Sequence, residues 1–114
     1  MDIEDIQKQL SDFANERDWD QFHNPKNLAM ALSVEASELV EIFQWLTPEQ
    51  AEAIMSSNES EHVKEEIADI MIYLIRMADK LNVDLENAVT DKIVKNGKRY
   101  PVSLSKGNAK KITI

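Results

Sequence analysis

The chain has 114 residues, 43% of them hydrophobic and 30% charged, with two glycines, three prolines, no cysteine and a formal net charge of −8. That balance belongs to one folded domain rich in helix formers rather than to a disordered tail, and a chain this short buries only a modest core. The missing cysteines exclude disulfides, thiolate metal sites and cysteine nucleophiles, and the acidic balance argues against a general duplex-binding protein, which needs a basic footprint to displace counterions.

The opening MDIEDIQKQL has the wrong charge sign and pattern for a secretory signal, and no run is apolar and long enough to span a bilayer. The expectation is a cytoplasmic protein that engages neither membrane nor duplex nucleic acid. Ile3, Ile6, Leu10 and Phe13 recur at helical spacing behind Asp2, a good N-cap, and predict a helix over about residues 2–17. RDWDQFH follows as a polar, aromatic connector. Asn24 and Pro25 form a start signal, a capping side chain before the imino acid that suits a first turn, and the periodic pattern then runs to Leu46. Thr47, Pro48 and Gln50 repeat that signal with a possible capping box and predict a short helix through about Met55. SSNES reads as a loop.

From Glu61 the pattern Val63, Ile67, Ile70, Leu74, Met77 and Leu81 predicts a helix to Asn82. Asp84 caps a last one, which stops at Asn96 and Gly97. The expected organisation is a single helical domain over residues 1–100 and a basic tail over 101–114, extended or partly disordered. No strand pattern, solenoid repeat or low-complexity tract intervenes, so the fold class is all-α, a bundle. Charge is unevenly placed: residues 1–91 carry −15, and residues 92–114 hold seven bases and no acid. The tail either pairs with its own acidic body or clamps an anionic ligand.

Two of the helices carry acids where apolar residues belong. Wound at about 100° per residue, the long helix gathers Leu28, Leu32, Leu39, Ile42, Phe43 and Leu46 on one side, yet Glu35 points along the centre of that stripe. Glu38 lies about 60° away. On the next long helix Glu66 and Asp69, three apart, border the apolar stripe with Tyr73 between them in projection. The intervening 27 residues between Glu38 and Glu66 are enough for the chain to turn and lay the two helices antiparallel, so four carboxylates can converge. An unpartnered carboxylate in an apolar setting costs several kcal/mol or takes up a proton. A hard divalent cation, Mg²⁺ or Mn²⁺, removes the conflict, because carboxylate oxygens are its preferred ligands and Mg²⁺ bridges readily to substrate phosphates. The alternative is a pair of solvated acidic borders, which i, i+3 spacing produces by chance.

EASE and EIAD match the E-x-x-E, gap, E-x-x-D signature of the MazG-like all-α nucleoside triphosphate pyrophosphohydrolases. RDWDQFHNPKNLAMALSVEASELVEIFQW, EEIADIMIYL, VDLENAV and the K-x-x-x-N-x-x-R-Y-P ending resemble the dCTP pyrophosphatase branch of that family in order and spacing, from about Phe13 to Pro101. The resemblance implies four-helix protomers assembled as a dimer or tetramer, and Mg²⁺ held by Glu35, Glu38, Glu66 and Asp69. It also implies hydrolysis of a (d)NTP, dCTP or a modified dCTP, to the monophosphate and pyrophosphate in nucleotide-pool house-cleaning. Glu38 is the candidate to accept the proton of the attacking water, either directly or as a metal-bound base.

Trp19, His23, Trp45, Tyr73, Lys92, Asn96, Arg99 and Tyr100 match positions that bind substrate in such enzymes, and Lys95 and Lys98 add candidate phosphate contacts. Trp45 and Tyr73 have an alternative place in the core, and Asn96 beside Gly97 is also an ordinary helix stop. The chain departs from the branch at Gly97, where a basic residue is common, and in the first helix, which reads QKQLSDF. Two other functions compete. A di-iron carboxylate bundle needs Glu-x-x-His on two helices, and only Glu59 to His62 fits, with Asp20 to His23 a partial second. A non-enzymatic acidic helical adaptor would dock a partner through its basic tail.

Overall fold

In the computed structural model, which describes residues 1–112, the elements are all helices joined by turns, with no strand among the described residues. It divides into a first unit, Met1–Asn82, and a second, Val83–Ile114. In the first unit, α1 (Ile3–Glu16) starts where the Asp2 carboxylate accepts from the Asp5 amide at 3.0 Å. It ends before Asp18, which takes a left-handed φ of 55°. The connector contains a single 3₁₀ turn, Asp20–Phe22. Asn24 then caps α2 (Pro25–Phe43), accepting from the Asn27 amide at 2.9 Å, with Pro25 in the first turn.

α2 stops at Phe43 rather than at the expected Leu46, because the next helix claims the residues that follow. Thr47, disfavoured in the α region by Pro48 behind it, forms a reciprocal capping box with Gln50. α3 (Pro48–Glu52) is followed by a separate 3₁₀ turn, Ile54–Ser56, so the helix expected through Met55 is two short pieces. α4 (Ser60–Lys80) ends at Leu81, and Asn82 follows at a φ of 54°, the left-handed cap that asparagine tolerates.

α4 packs against both α2 and α1. It runs antiparallel to α2, since residues 38–46 of α2 and the turn after it share a cleft with Glu59 and His62, while Glu35, earlier in the chain, lies beside Glu66 and Asp69. Among the described residues the buried apolar ones are six: Ala14, Leu28, Ile54, Val63, Ile75 and Ala78, three of them on α4. Two charged residues, Glu66 and Arg76, are buried with them, both on α4.

The second unit contains α5 (Leu85–Arg99), capped by Asp84, and the single turn α6 (Val102–Ser105). α5 continues past the expected stop at Asn96 and Gly97. Gly97 does not adopt a positive φ, and the helix ends instead at Tyr100, which precedes Pro101 and is displaced from the helical region (φ −116°, ψ 67°). α6 is a helical turn inside the tail expected to be extended, and the end of that tail, residues 113–114, lies outside the described residues. None of the residues of α5 is buried, and Val89, Ile93 and Val94 are exposed apolar side chains. No helix of the described residues is long and apolar enough to cross a membrane.

Candidate functional site

The facing of α2 and α4 brings Glu35, Glu38 and Glu66 together, each offering a carboxylate oxygen within 4.8 Å of the others. Asp69, the fourth expected acid, stands outside that group, but its charge acts on both Glu35 and Tyr73. Oε2 of Glu35 and Oε2 of Glu66 are covered and have no hydrogen-bond partner. Among the described residues, none of the four acids is paired with a lysine or arginine; the His62 imidazole stands by, its Nε2 3.6 Å from Glu66 Oε1. The Glu35 carboxyl is pushed from the usual 4.5 up to about 7, first by its hydrogen bond with Glu66, then by burial and by the neighbouring Glu38 and Asp69. Oxygen donors alone, crowded and without a compensating base, form the donor set of a hard divalent cation.

Next to the acids lies a cleft of about 380 Å³ in the same unit, lined by Phe13, Trp19, His23, Asp69, Tyr73 and Arg76 among others. Trp19, His23 and Tyr73, expected from the sequence at a substrate site, therefore share one cavity with Asp69. Trp19 is held edge-on to Phe13, with ring centroids 5.8 Å apart, and Arg17 stacks over the other aromatic partner, its guanidinium carbon 3.5 Å from the Phe13 ring centroid. Burial raises the Tyr73 hydroxyl pKa, and the charges of Glu35 and Asp69 add to the shift. Trp45 is not a core aromatic: it is 86% exposed just beyond α2 and borders a different, open cleft with Glu38 and His62.

On α5, Lys92, Asn96 and Arg99 share a face at i, i+4, i+7 spacing, with Lys92 and Asn96 exposed. Arg99 donates from Nε to the Ile112 carbonyl and lies over the Tyr100 ring, its guanidinium carbon 5.5 Å from the centroid. Two residues near the acids were not expected there. His62 donates from Nδ1 to Glu59 Oε2 at 3.0 Å, a bond that raises its pKa; its i+4 spacing to Glu66 was the available signal. Arg76 has the same helical face as Asp69 and Tyr73, which its spacing of seven and three would have shown. His23, the partial second half of a di-iron motif, accepts from Arg76 at Nδ1 and is not among the residues grouped with Glu35, Glu38 and Glu66.

A MazG-like family model matches residues 30–113. The curated relatives carry one name: dCTP pyrophosphatase 1 of Bos taurus is 46% identical over 112 residues, and that of Homo sapiens 43%. The alignments take in 97% of this chain, which spans 66% of the length of those relatives. Among solved structures, a pyrophosphatase from Archaeoglobus fulgidus superposes with a TM-score of 0.81 at 37% identity, covering 89% of this chain and 94% of that one.

The crowded acids make metal-free stability depend on pH. A carboxyl raised from 4.5 to about 7 contributes stability that is complete below about pH 4.5 and is lost as the pH rises through 7. Glu35→Gln removes that loss. In metal-free buffer its melting temperature should gain on the wild type as the pH goes from about 5 to about 8; thermal melts with a difference independent of pH would contradict this origin of the shift.

Proposed function

The chain belongs to the MazG-like family, and from that premise we propose that it is a nucleoside triphosphate pyrophosphohydrolase, converting a (d)NTP and water to the (d)NMP and pyrophosphate. dCTP or a modified dCTP is the substrate in keeping with the named relatives, and house-cleaning of the nucleotide pool is the role. The observation that carries the reading is the set of unpartnered carboxylates of α2 and α4 beside an aromatic cleft. An adaptor would have no use for buried acids without partners, which oppose folding.

Glu35, Glu38 and Glu66 fit Mg²⁺, or Mn²⁺ in its place, with Asp69 at the border of the group. When bound, the cation would neutralise charge on the triphosphate oxygens and make a nearby water more acidic. Water attacks the α-phosphorus, the bond to the bridging oxygen of the β-phosphate breaks, and pyrophosphate leaves. Glu38 is the residue we assign to take the water's proton. It is half-buried and borders the open cleft with Trp45, so water reaches it, whereas Glu35 and Glu66 each have one oxygen sealed from solvent. Trp19 and Tyr73 offer planar faces to the base, and His23 a polar edge. Trp45, Lys92, Asn96, Arg99 and Tyr100 are proposed substrate contacts on the strength of the family resemblance, as are Lys95 and Lys98 for phosphate.

A homo-oligomer, dimer or tetramer, completes the reading. Six buried apolar residues are a small core for the 112 described residues, and apolar side chains on α4 and α5, including Ile67 and Ile93, stand exposed. Light scattering on the purified protein should give the mass of at least two chains, and a monomer at micromolar concentration would contradict the assembly. For activity, dCTP and its 5-modified forms should yield monophosphate and pyrophosphate in Mg²⁺. Glu38→Gln should lower turnover by about 10²–10⁴-fold with an unchanged helical circular dichroism spectrum; retained turnover would remove Glu38 from the reaction.

A further inference from the structure

Arg76 is 4% exposed, a permanently charged side chain inside a small helical unit. Its hydrogen-bond partners come from the connector between α1 and α2, more than fifty residues earlier in the chain. Nη2 donates to Asp20 Oδ1 at 2.8 Å, and Nε donates to His23 Nδ1 at 3.2 Å. Nη1 is 3.6 Å from Asp79 Oδ2. Asp20 also accepts from Lys80, the strongest of the influences that hold its carboxyl below the ordinary range. A guanidinium has donors only, so the His23 nitrogen facing it must be the acceptor, and the single proton of the neutral ring then sits on Nε2. Burial, then the charges of Arg76 and Lys80, lower the imidazole pKa against the opposing pull of Asp20. Among the described residues, Nε2 has no hydrogen-bond partner.

Asp69, Tyr73 and Arg76 occupy one face of α4 at i, i+4 and i+7, and all three line the cleft that holds His23. Seven residues of helix span about 10 Å, comparable with a nucleoside from its 5′ carbon to the far edge of its base. The end of the cleft beside the acids therefore suits phosphate, and the end at Arg76 and His23 suits the base. Resting on the nucleotide reading above, we propose that Arg76 is a positioning residue that locks His23 as its Nε2–H tautomer, so that His23 donates a hydrogen bond to a carbonyl oxygen on the pyrimidine base. The lock costs the substrate nothing to form, because the ring is oriented before the base arrives. It also fixes the polarity of that end of the cleft: a ring free to exchange tautomers would present an acceptor in part of the population.

The lock is tested first without substrate. Long-range ¹H–¹⁵N correlation spectra of the wild type should show His23 in one neutral form, protonated at Nε2; a ring protonated at Nδ1 or at both nitrogens near pH 7 overturns the proposal. Arg76→Gln should mix the two tautomers. Steady-state kinetics with dCTP then separate positioning from a purely structural role. Arg76→Gln and His23→Ala should each raise KM about tenfold, the loss expected of one neutral hydrogen bond, with kcat little changed. The double variant should be no worse than His23→Ala alone, because Arg76 acts through the ring. Additive losses, or an unchanged KM in either single variant, overturn the assignment. A wild type that hydrolyses no nucleotide would count against the nucleotide reading, and the tautomer spectrum would still decide whether Arg76 locks the ring.

Discussion

Mutual repulsion among carboxylates held between α2 and α4 is the constraint on which the rest depends. Glu35 and Glu66 each keep one oxygen away from both water and any donor, and the pKa of the Glu35 carboxyl is pushed up to about 7, first by its hydrogen bond with Glu66 and then by burial and the neighbouring acids. Such a cluster opposes folding, and the hydrophobic opposition to it, among the described residues, is six buried apolar side chains. A ligand that binds the folded acids and not the unfolded chain offsets the cost, so occupancy and stability are coupled in this protein.

The second consequence is spatial. Because Glu66 and Asp69 sit on α4 at one end of a face that continues through Tyr73 to Arg76, half of the acid cluster and the groups placed to recognise the rest of the ligand share one helix. The connector is tied to that helix by Arg76 through Asp20 and His23, and Trp19 immediately precedes the tied residues. Small movements of the connector are thereby restrained at the place where an aromatic ring and an imidazole enter the cleft. Sites built on helices hold their geometry better than sites on free loops.

Much of this was legible in the amino-acid sequence, for reasons that differ by residue. Asp2, Asn24, Thr47 and Asp84 announce helix starts because a cap needs only neighbours three residues away. The convergence of Glu35, Glu38 and Glu66 follows from helical periodicity and a short return. Gly97 misled because a glycine stops a helix only by turning to positive φ, and here Pro101 supplies the stop, so the helix reaches Arg99, two residues beyond Gly97. Arg76 was illegible as a buried cation because its partners, Asp20 and His23, are 56 and 53 residues distant in sequence; spacing along one helix carries no information about what packs against it. For the same reason Trp45 left two placements open, core or cleft, and only its 86% exposure chooses between them.

The most direct measurement of the central claim is crystallographic. Crystals soaked in Mn²⁺ and measured at the manganese absorption edge should show an anomalous peak among the carboxylates of Glu35, Glu38 and Glu66. A map with no peak there, in which those side chains turn to solvent or pair with lysine or arginine, would contradict the account.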